Sequence, residues 1–325
     1  MNNHSTQQHP LGTRFGPASR AEEVAEGIDC SGTLAIITGG ASGLGLETAR
    51  VLASKGARVI VPARDEGAAA KVLAEVPSAQ VMPLNLLDNA SIDAFSAAIL
   101  ARREPLHLLV LSAGIMAPPL FRDVNGHEGQ FATNHLGHFR LVCRLWPALV
   151  AARGARAVVL SSRGHMLSDI HFDDVDYHQR PYDRMQAYGQ SKTANSLFAV
   201  ALDARGRQDG VRAFAVHPGS ILGNLAKHFT QEDIRAFGAI HPDGSAVIDP
   251  QRDLKNVQQG AATTVWCATA PDLDGQGGVY CEDCDIAVVE PELLRGVRPY
   301  AIDPARAERL WELSAHWLGV DIPGN

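Results

Sequence analysis

Residues 34–49, LAIITGGASGLGLETA, predict a buried strand, a tight turn and the first turns of a helix. An unbroken apolar run ends in glycines that let the backbone turn sharply, and small and apolar residues then resume at helical spacing. Such a turn presents free backbone N–H groups at a helix N-terminus, which can bind a dinucleotide pyrophosphate without a lysine. The glycines Gly39, Gly43 and Gly45 follow the spacing Thr-Gly-x-x-x-Gly-x-Gly rather than Gly-x-Gly-x-x-Gly. Glycines also occur in such turns without a ligand, so this motif needs support from a second one.

Strand and helix patterns alternate after this turn. The predicted elements are helix 47–55, strand 58–63, helix 66–75, strand 80–84, helix 91–103, strand 106–111, helix 128–150 (closed around Pro147), strand 155–160, helix 257–270 and a short strand at Val279. Repeated strand-and-helix units require a parallel sheet with helices on both faces. The sequence therefore predicts an α/β fold: a doubly wound, Rossmann-type parallel sheet of about seven strands in a single domain.

Length and composition set the domain boundaries. The chain has 325 residues, of which 46% are hydrophobic and 20% charged, as is ordinary for a globular protein. No Pro/Gly/Ser-rich linker divides it. We expect an N-terminal arm over 1–32, with a short helix capped by Ser19 and Glu22, a dinucleotide-binding catalytic domain over 33–290, and a C-terminal extension over 291–325 with a terminal helix.

Charge and cysteine usage exclude several classes of partner. A net charge of −7 without a run of Lys or Arg argues against nucleic acid. No stretch reaches the roughly 18 apolar residues of a membrane span, and the first twenty residues hold no apolar run. Five scattered cysteines suit a reducing compartment, so we expect a cytoplasmic protein. Cys281 and Cys284 could form a redox pair or half of a zinc site, but no second ligand pair matches them, so we predict no metal.

Tyr188 and Lys192 form the second motif. Four residues apart on a helix, the two side chains share one face, which places an ammonium beside a phenol. A neighbouring positive charge favours phenolate, so we expect the pKa of Tyr188 to be lowered into the range of a general acid/base. Such a pair also arises by chance on exposed helix faces, and its position after a glycine turn and a strand-end serine favours the catalytic interpretation.

The end of the second strand indicates which nicotinamide dinucleotide is bound. An acidic residue about twenty positions beyond the glycines binds the ribose 2′-hydroxyl, whereas an arginine there accommodates a 2′-phosphate. Arg64 occupies this place, so NADP(H) is preferred, with NAD(H) possible. Asp65 leaves the second alternative open, since it could bind the hydroxyl or pair with Arg64. Asn85, at the end of the third strand, either meets the adenine or only forms a turn.

Together these motifs resemble the short-chain dehydrogenase/reductase family, and the likeness runs from about Ser31 to the C-terminus. Within it the chain is similar to the branch with retinol dehydrogenases, the WW-domain oxidoreductase and light-dependent protochlorophyllide reductase. The segments that carry this likeness are 134–139 (NHLGHF), 187–192 (AYGQSK), 217–219 (HPG), 278–284 (GVYCEDC) and 307–311 (AERLW).

The resemblance implies a catalytic tetrad. Ser162 would bind the substrate oxygen, Tyr188 would exchange its proton, Lys192 would tune Tyr188 and hold the nicotinamide ribose, and Asn134 would position a relay water. Ser161 would be structural, because adjacent strand residues point oppositely. The implied cofactor contacts are Gly39, Ser42, Gly43, Leu44, Gly45, Arg64, Asn85, Leu86, Ala113, Gly114, Tyr188, Lys192, Pro218, Gly219 and Ile221. Ser112 and Gly223 depart from the family pattern, which could weaken cofactor binding.

The implied function is NADP(H)-dependent hydride transfer to or from a small alcohol or carbonyl compound. Two alternatives remain: reduction of a carbon–carbon double bond on the same fold, and a non-catalytic NADP-binding sensor. We expect residues 220–255 to form a loop over the substrate, and His165 could line the substrate pocket. The terminal helix should pack against the body or form a dimer contact, and the resemblance implies a homodimer through the two long helices.

Overall fold

The strands form one sheet in the computed structural model, which describes residues 8–76 and 78–322. The described strands are β1 (Leu34–Thr38), β2 (Arg58–Ala63), β3 (Ala79–Pro83), β4 (Leu108–Leu111), β5 (Arg156–Leu160), β6 (Arg212–Val216), β7 (Val279–Glu282) and β8 (Asp285–Ile286). They lie in the order β3-β2-β1-β4-β5-β6-β7-β8, and every neighbouring pair is parallel except β7 and β8. The predicted Rossmann-type parallel sheet is confirmed, with a two-residue antiparallel edge strand added to the seven expected.

Helices cover both faces of the sheet. They are α1 (Ala21–Val24), α2 (Gly43–Ser54), α3 (Glu66–Leu73), α4 (Asn89–Leu100), α5 (Gly129–Phe131), α6 (Gly137–Ala151), α7 (Arg184–Gly206), α8 (Gln231–Ala236), α9 (Val257–Gly260), α10 (Ala262–Thr269) and α11 (Pro304–Leu318). One apolar core lies between the sheet and α4, α6, α7 and α11, and a second lies under α1, α2 and α10. Within the described ranges, no helix combines the length and the apolar character that crossing a membrane requires.

The strand order fixes where a ligand can bind. From β1 the chain crosses to β2 and β3 on one side, and the sheet then continues from β4 on the other side. Such a reversal opens a crevice beyond the carboxyl ends of the strands. The register places Thr38 beside Leu111 there, and Leu160 beside Val216 further along the same edge. The glycine turn therefore opens into this crevice.

The predicted long helix around residue 134 is interrupted and then continues past its proline. A π-helical turn, Ala132–Leu136, separates α5 from α6. The expectation that the helix closes around Pro147 is wrong, because α6 runs through this residue to Ala151. The apolar side chains on either side of the proline are buried and hold the last turn of the helix against the core.

The N-terminal arm is bonded to the far edge of the sheet. The Gln8 side-chain amide donates to the carbonyls of Tyr280 and Ala287, and its oxygen accepts from the Tyr280 N–H. The cap of α1 lies one residue later than predicted: Glu23 accepts from the Arg20 N–H. The hydroxyl of Ser19 instead accepts from the backbone of the preceding turn.

The terminal helix α11 packs along α7 and contacts α6. The Trp311 ring lies between Phe139 of α6 and Phe198 of α7, with centroid distances of 4.7 and 5.9 Å. Arg205 of α7 pairs with Glu308 at 2.5 Å. The terminal helix therefore packs against the body, as expected. The homodimer through the two long helices stays a prediction.

We expect Trp311→Ala to lower the free energy of unfolding by about 3–5 kcal/mol, because the substitution empties a buried site between three helices. Thermal or urea unfolding measures the loss. Glu312→Ala changes the exposed neighbour on the same helix and should have little effect. Equal stability of the two variants would show that α11 is not held by this contact.

Candidate active site

The glycine turn forms a cradle that only small residues fit. A Cβ atom on Gly39 would lie 3.0 Å from the Cα of Ala113, and one on Gly45 would lie 2.4 Å from the Gly39 carbonyl oxygen. Gly43 differs, since the space beside it is open and its φ is +49°. No acidic residue stands in the first turn of α2, and the Ser42 side chain does not cap that helix. The free N–H groups at its start therefore fit a dinucleotide pyrophosphate.

The hydroxyl of Thr38 joins the first strand to β4. Its oxygen accepts from the Ser112 and Ala113 N–H groups at 2.9 and 3.0 Å. It also bonds to Nε2 of His138 at 2.9 Å. Since Nδ1 of His138 donates to the Asn134 carbonyl, Nε2 must accept from the Thr38 hydroxyl in the neutral ring. Burial lowers the pKa of His138 to about 4, so the ring is neutral near pH 7.

Asn134 lies in the π-helical turn, where an extra residue re-aims the side chain. Its amide oxygen accepts from the Ile115 N–H at 2.8 Å, and its amide nitrogen donates to the Ile115 carbonyl and to the Ser191 hydroxyl. A Cβ on Gly114 would come within 3.1 Å of the Asn134 oxygen and 3.8 Å of the Lys192 ammonium. Asn134 therefore fixes the loop after β4 beside Lys192.

The two serines after β5 have different partners. The Ser161 hydroxyl donates to the Lys192 carbonyl at 2.8 Å and bonds to Ser196 within α7. The Ser162 hydroxyl instead accepts from the Gly164 N–H at 2.9 Å and lies on the same side of Gly164 as the Tyr188 ring, since an added Cβ there would contact both. Of the two serines, Ser162 is thus the one that lies beside Tyr188.

Burial controls the acid–base properties of the tyrosine and lysine. The Lys192 ammonium donates to the Leu160 carbonyl at 2.9 Å and lies 5.6 Å from the centre of the Tyr188 ring. Burial raises the pKa of Tyr188 to about 12, although the bond with Ser162 works against it. Burial also lowers the pKa of Lys192 to about 8. The expectation that the lysine lowers the tyrosine pKa is therefore wrong for this structure, because desolvation dominates.

At the other end of the crevice, Arg64 and Asp65 differ in their contacts. The Asp65 carboxylate accepts from the Ala68 N–H at 2.9 Å and caps α3. Arg64 is exposed and makes no ion pair or hydrogen bond within the described part of the chain. Asn85 uses its side-chain oxygen in a turn, accepting from the Leu87 N–H, which leaves its amide nitrogen for a ligand.

The remaining predicted contacts lie beside this crevice. Ile221 and Leu44 meet over Gly260 of α9, where an added Cβ would lie 2.7 Å from each side chain. Gly219, which follows Pro218, has a φ of +95° and packs against the Lys255 side chain. The carbonyl of Leu86 packs against Gly137 at the start of α6. The loop 220–254 is closed at its base by a parallel bridge between Ser220 and Leu254.

Sequence reasoning missed Gly164 and misplaced His165. The Tyr188 ring packs against Gly164, where a Cβ would lie 2.6 Å from the ring, and the only sequence signal is a glycine two residues after Ser162. His165 is fully buried and both ring nitrogens have partners, so it does not line the substrate pocket. Cys281 and Cys284 are free and buried, and residues 8–76 and 78–322 hold no cluster of metal-ligating side chains.

Comparison with known proteins identifies the family of this fold and site. The family model described as short chain dehydrogenase matches residues 33–234. A probable oxidoreductase from Streptomyces lividans is 43% identical over 90% of this chain and 100% of its own length. Retinol dehydrogenase 12 from Mus musculus is 36% identical over 90% of this chain and 88% of its own. The crystal structure of an uncharacterised protein from Mycobacterium paratuberculosis, 30% identical, superposes with a TM-score of 0.71 over 92% of this chain and 98% of that chain.

We expect Gly45→Ala to abolish dinucleotide binding, because the added methyl group would overlap the Gly39 carbonyl and force the turn open. Titration of NADPH fluorescence measures the dissociation constant. Gly16→Ala is the matched control, since a Cβ there meets nothing within 4 Å. Unchanged affinity in Gly45→Ala would place the nucleotide away from this turn.

Proposed function

We propose that this chain, which belongs to the short-chain dehydrogenase family and is an oxidoreductase enzyme, transfers hydride between NADP(H) and an alcohol or carbonyl compound. The observation that carries the proposal is the convergence of Ser162 and Tyr188 on Gly164, where an added Cβ would lie 3.3 Å from the Ser162 hydroxyl oxygen and 2.6 Å from the Tyr188 ring. Two hydroxyl groups in reach of each other can both bond to a single oxygen atom placed between them. A carbonyl or alcohol oxygen offers that atom, whereas an isolated carbon–carbon double bond does not.

The proton is supplied by the chain itself. The bound nicotinamide would supply or accept the hydride. In the direction of reduction, Tyr188 donates its proton to the substrate oxygen while Ser162 holds that oxygen. Because the pKa of Tyr188 is raised to about 12 by burial, the phenol is protonated near pH 7 and ready to donate. The Lys192 ammonium, anchored on the Leu160 carbonyl, stabilises the phenolate that forms.

The backbone around the site supports this geometry. Asn134 bonds to both polar groups of the Ile115 backbone, and Thr38 holds the Ser112 and Ala113 N–H groups. The departure at Ser112 therefore leaves the main chain of this loop held in place. Gly223 lies in extended backbone with open space around it, so the loop after β6 carries no hydroxyl at that point.

The proposed preference for NADP(H) rests on the different contacts of Arg64 and Asp65. The aspartate is engaged as the cap of α3, which favours a structural role over a bond to the ribose hydroxyl. The arginine stands at the end of β2 without a partner among the described residues, where a 2′-phosphate could pair with it. A bidentate arginine–phosphate contact would distinguish the two dinucleotides.

An apolar substrate body suits the loop that follows β6. Leu222, Leu225 and Phe237 of this loop expose 37%, 39% and 62% of their surfaces, so the loop carries three exposed large apolar side chains within sixteen residues. The similarity to a retinol dehydrogenase supports the same class of substrate. A panel of aldehydes and ketones with increasing apolar length, assayed with NADPH, tests this proposal.

We expect Tyr188→Phe to reduce carbonyl reduction by at least about 100-fold, because the proton donor is lost, while NADPH still binds. Stopped-flow loss of NADPH absorbance measures the rate, and fluorescence titration measures binding. Tyr182→Phe is a matched control, since this hydroxyl bonds to Glu128 and Pro118 outside the tetrad. Undiminished turnover in Tyr188→Phe would remove this residue from the chemistry.

We expect Arg64→Ala to weaken NADPH binding by roughly 10- to 100-fold and to leave NADH binding nearly unchanged, since a charge-assisted contact is worth about 1.5–3 kcal/mol. Asp65→Ala should instead lower stability by about 1 kcal/mol through loss of the helix cap, with the cofactor preference intact. Isothermal titration with both dinucleotides separates these outcomes. A selective loss of NADH binding in Asp65→Ala would reverse the assignment.

A further inference from the structure

The peptide group between Ser162 and Arg163 is held on both sides by an imidazole. Nδ1 of His165 donates to the Ser162 carbonyl at 2.7 Å. On the other side, the Arg163 N–H donates to Nδ1 of His217 at 3.0 Å. Ser162 supplies the hydroxyl that faces Tyr188, so these two bonds fix the backbone from which that hydroxyl projects.

Each histidine has a second partner that determines its tautomer. Nε2 of His217 must carry the proton, since Nδ1 accepts, and it faces both carboxylate oxygens of Asp253 at 3.1 Å. Nε2 of His165 accepts from the Arg298 N–H at 3.1 Å, which requires the proton on Nδ1. His165 is 0% exposed and His217 is 2% exposed, so neither side chain can contact a substrate.

Asp253 is itself fixed in place. Its carboxylate pairs with the Arg163 guanidinium at 3.0 Å and accepts from the Ser220 hydroxyl at 2.9 Å. Burial alone would raise its pKa, but His217, Arg163 and Ser220 together lower it to about 2. Its φ of +68° is rare for a residue other than glycine. A strained backbone angle at a fully bonded carboxylate indicates that its position is determined by the surrounding contacts.

The outer partners come from segments beyond residues 33–234, the part that matches the family model. Asp253 lies at the end of the loop that follows β6, and Arg298 lies in the C-terminal extension. The Tyr300 hydroxyl adds a third bond by donating to the His165 carbonyl at 2.8 Å. Two late segments of the chain thus converge on the peptide group that follows Ser162.

We propose that His165 and His217 are positioning residues that clamp the Ser162–Arg163 peptide and thereby set the Ser162 hydroxyl opposite Tyr188, with Asp253 and the Arg298 backbone as their outer supports. This inference rests on the proposed function, in which Ser162 and Tyr188 share the substrate oxygen. Displacing a group that must contact a reacting atom by about 1 Å can lower a rate by about 100-fold. The clamp therefore acts on turnover rather than on cofactor binding, which takes place at the start of α2.

Paired amide substitutions test the clamp at each histidine. Asparagine places an amide where Nδ1 lies and can keep the bond to the peptide group, whereas glutamine places it where Nε2 lies and keeps only the outer bond. We expect His217→Gln and His165→Gln to lower kcat by roughly 10- to 100-fold, and His217→Asn and His165→Asn to retain most of it, with the KM for NADPH unchanged in all four variants. The same exchanges at exposed His316 are the controls.

Crystal structures of the wild type, His217→Asn and His217→Gln give a readout that does not depend on activity. The clamp predicts that the Ser162 hydroxyl moves away from Tyr188 only in the glutamine variant. Asp253→Asn, which keeps an acceptor for His217, supplies a second variant should a histidine change prevent folding. Equal kcat in the asparagine and glutamine variants, or an unmoved Ser162 in His217→Gln, would overturn the clamp. A wild type inactive on every carbonyl tested would instead count against the proposed function alone.

Discussion

Burial of the central thirteen residues of helix α7 is the constraint on which the site depends. From Ala187 to Ala199 every residue of this helix is buried, although many of them are polar. A buried polar group without a partner costs free energy, so each of these side chains must find one within the fold. Gln190, Thr193 and Asn195 donate to backbone carbonyls, those of Val175, Ser168 and Leu160. Ser191 and Ser196 bond to the side chains of Asn134 and Ser161. The hydrogen bonds made by the buried polar side chains of α7 therefore position the segments that surround Tyr188.

The same burial sets the chemistry of the site. In a dry environment the charged form of each group is disfavoured, so the pKa of Tyr188 is raised and that of Lys192 is lowered. The two shifts separate the pKa values of the pair, to about 12 for Tyr188 and about 8 for Lys192. The phenol is therefore neutral near pH 7, and the lysine is mostly protonated. The buried His138 stays neutral and can accept the Thr38 hydroxyl for the same reason. Desolvation thus determines the protonation state of these side chains in the ligand-free protein. A charged ligand in the crevice would shift their pKa values from this starting point.

Local patterns were sufficient to predict the sheet, and they also suggested which side chains lie around its crevice. An apolar strand that ends in glycines, and a tyrosine four residues before a lysine, are signals contained within a few residues. The choice of Ser162 over Ser161 rested on the family resemblance, and the two hydroxyls do have separate partners. The π-helical turn at Asn134 and the route of the chain past Pro147 depend on tertiary packing, which propensity does not encode. The packing of α11 against α7 depends likewise on contacts between distant segments.

Long-range hydrogen bonds explain why a short family motif is not a complete site. Lys255, buried beside Gly219, pairs with Asp283 next to β7, so the turn after β6 is held by residues that follow it by more than thirty positions. The Gln8 side chain bonds to the backbone of Tyr280 in β7 and of Ala287 just after β8. The N-terminal arm therefore supports the same edge of the sheet. Because a parallel sheet gathers its strand ends at one edge, segments after the sixth strand can reach both the Ser162 turn and the start of α2. The last third of the chain therefore helps to position both ends of the crevice, which a motif confined to a few residues cannot encode.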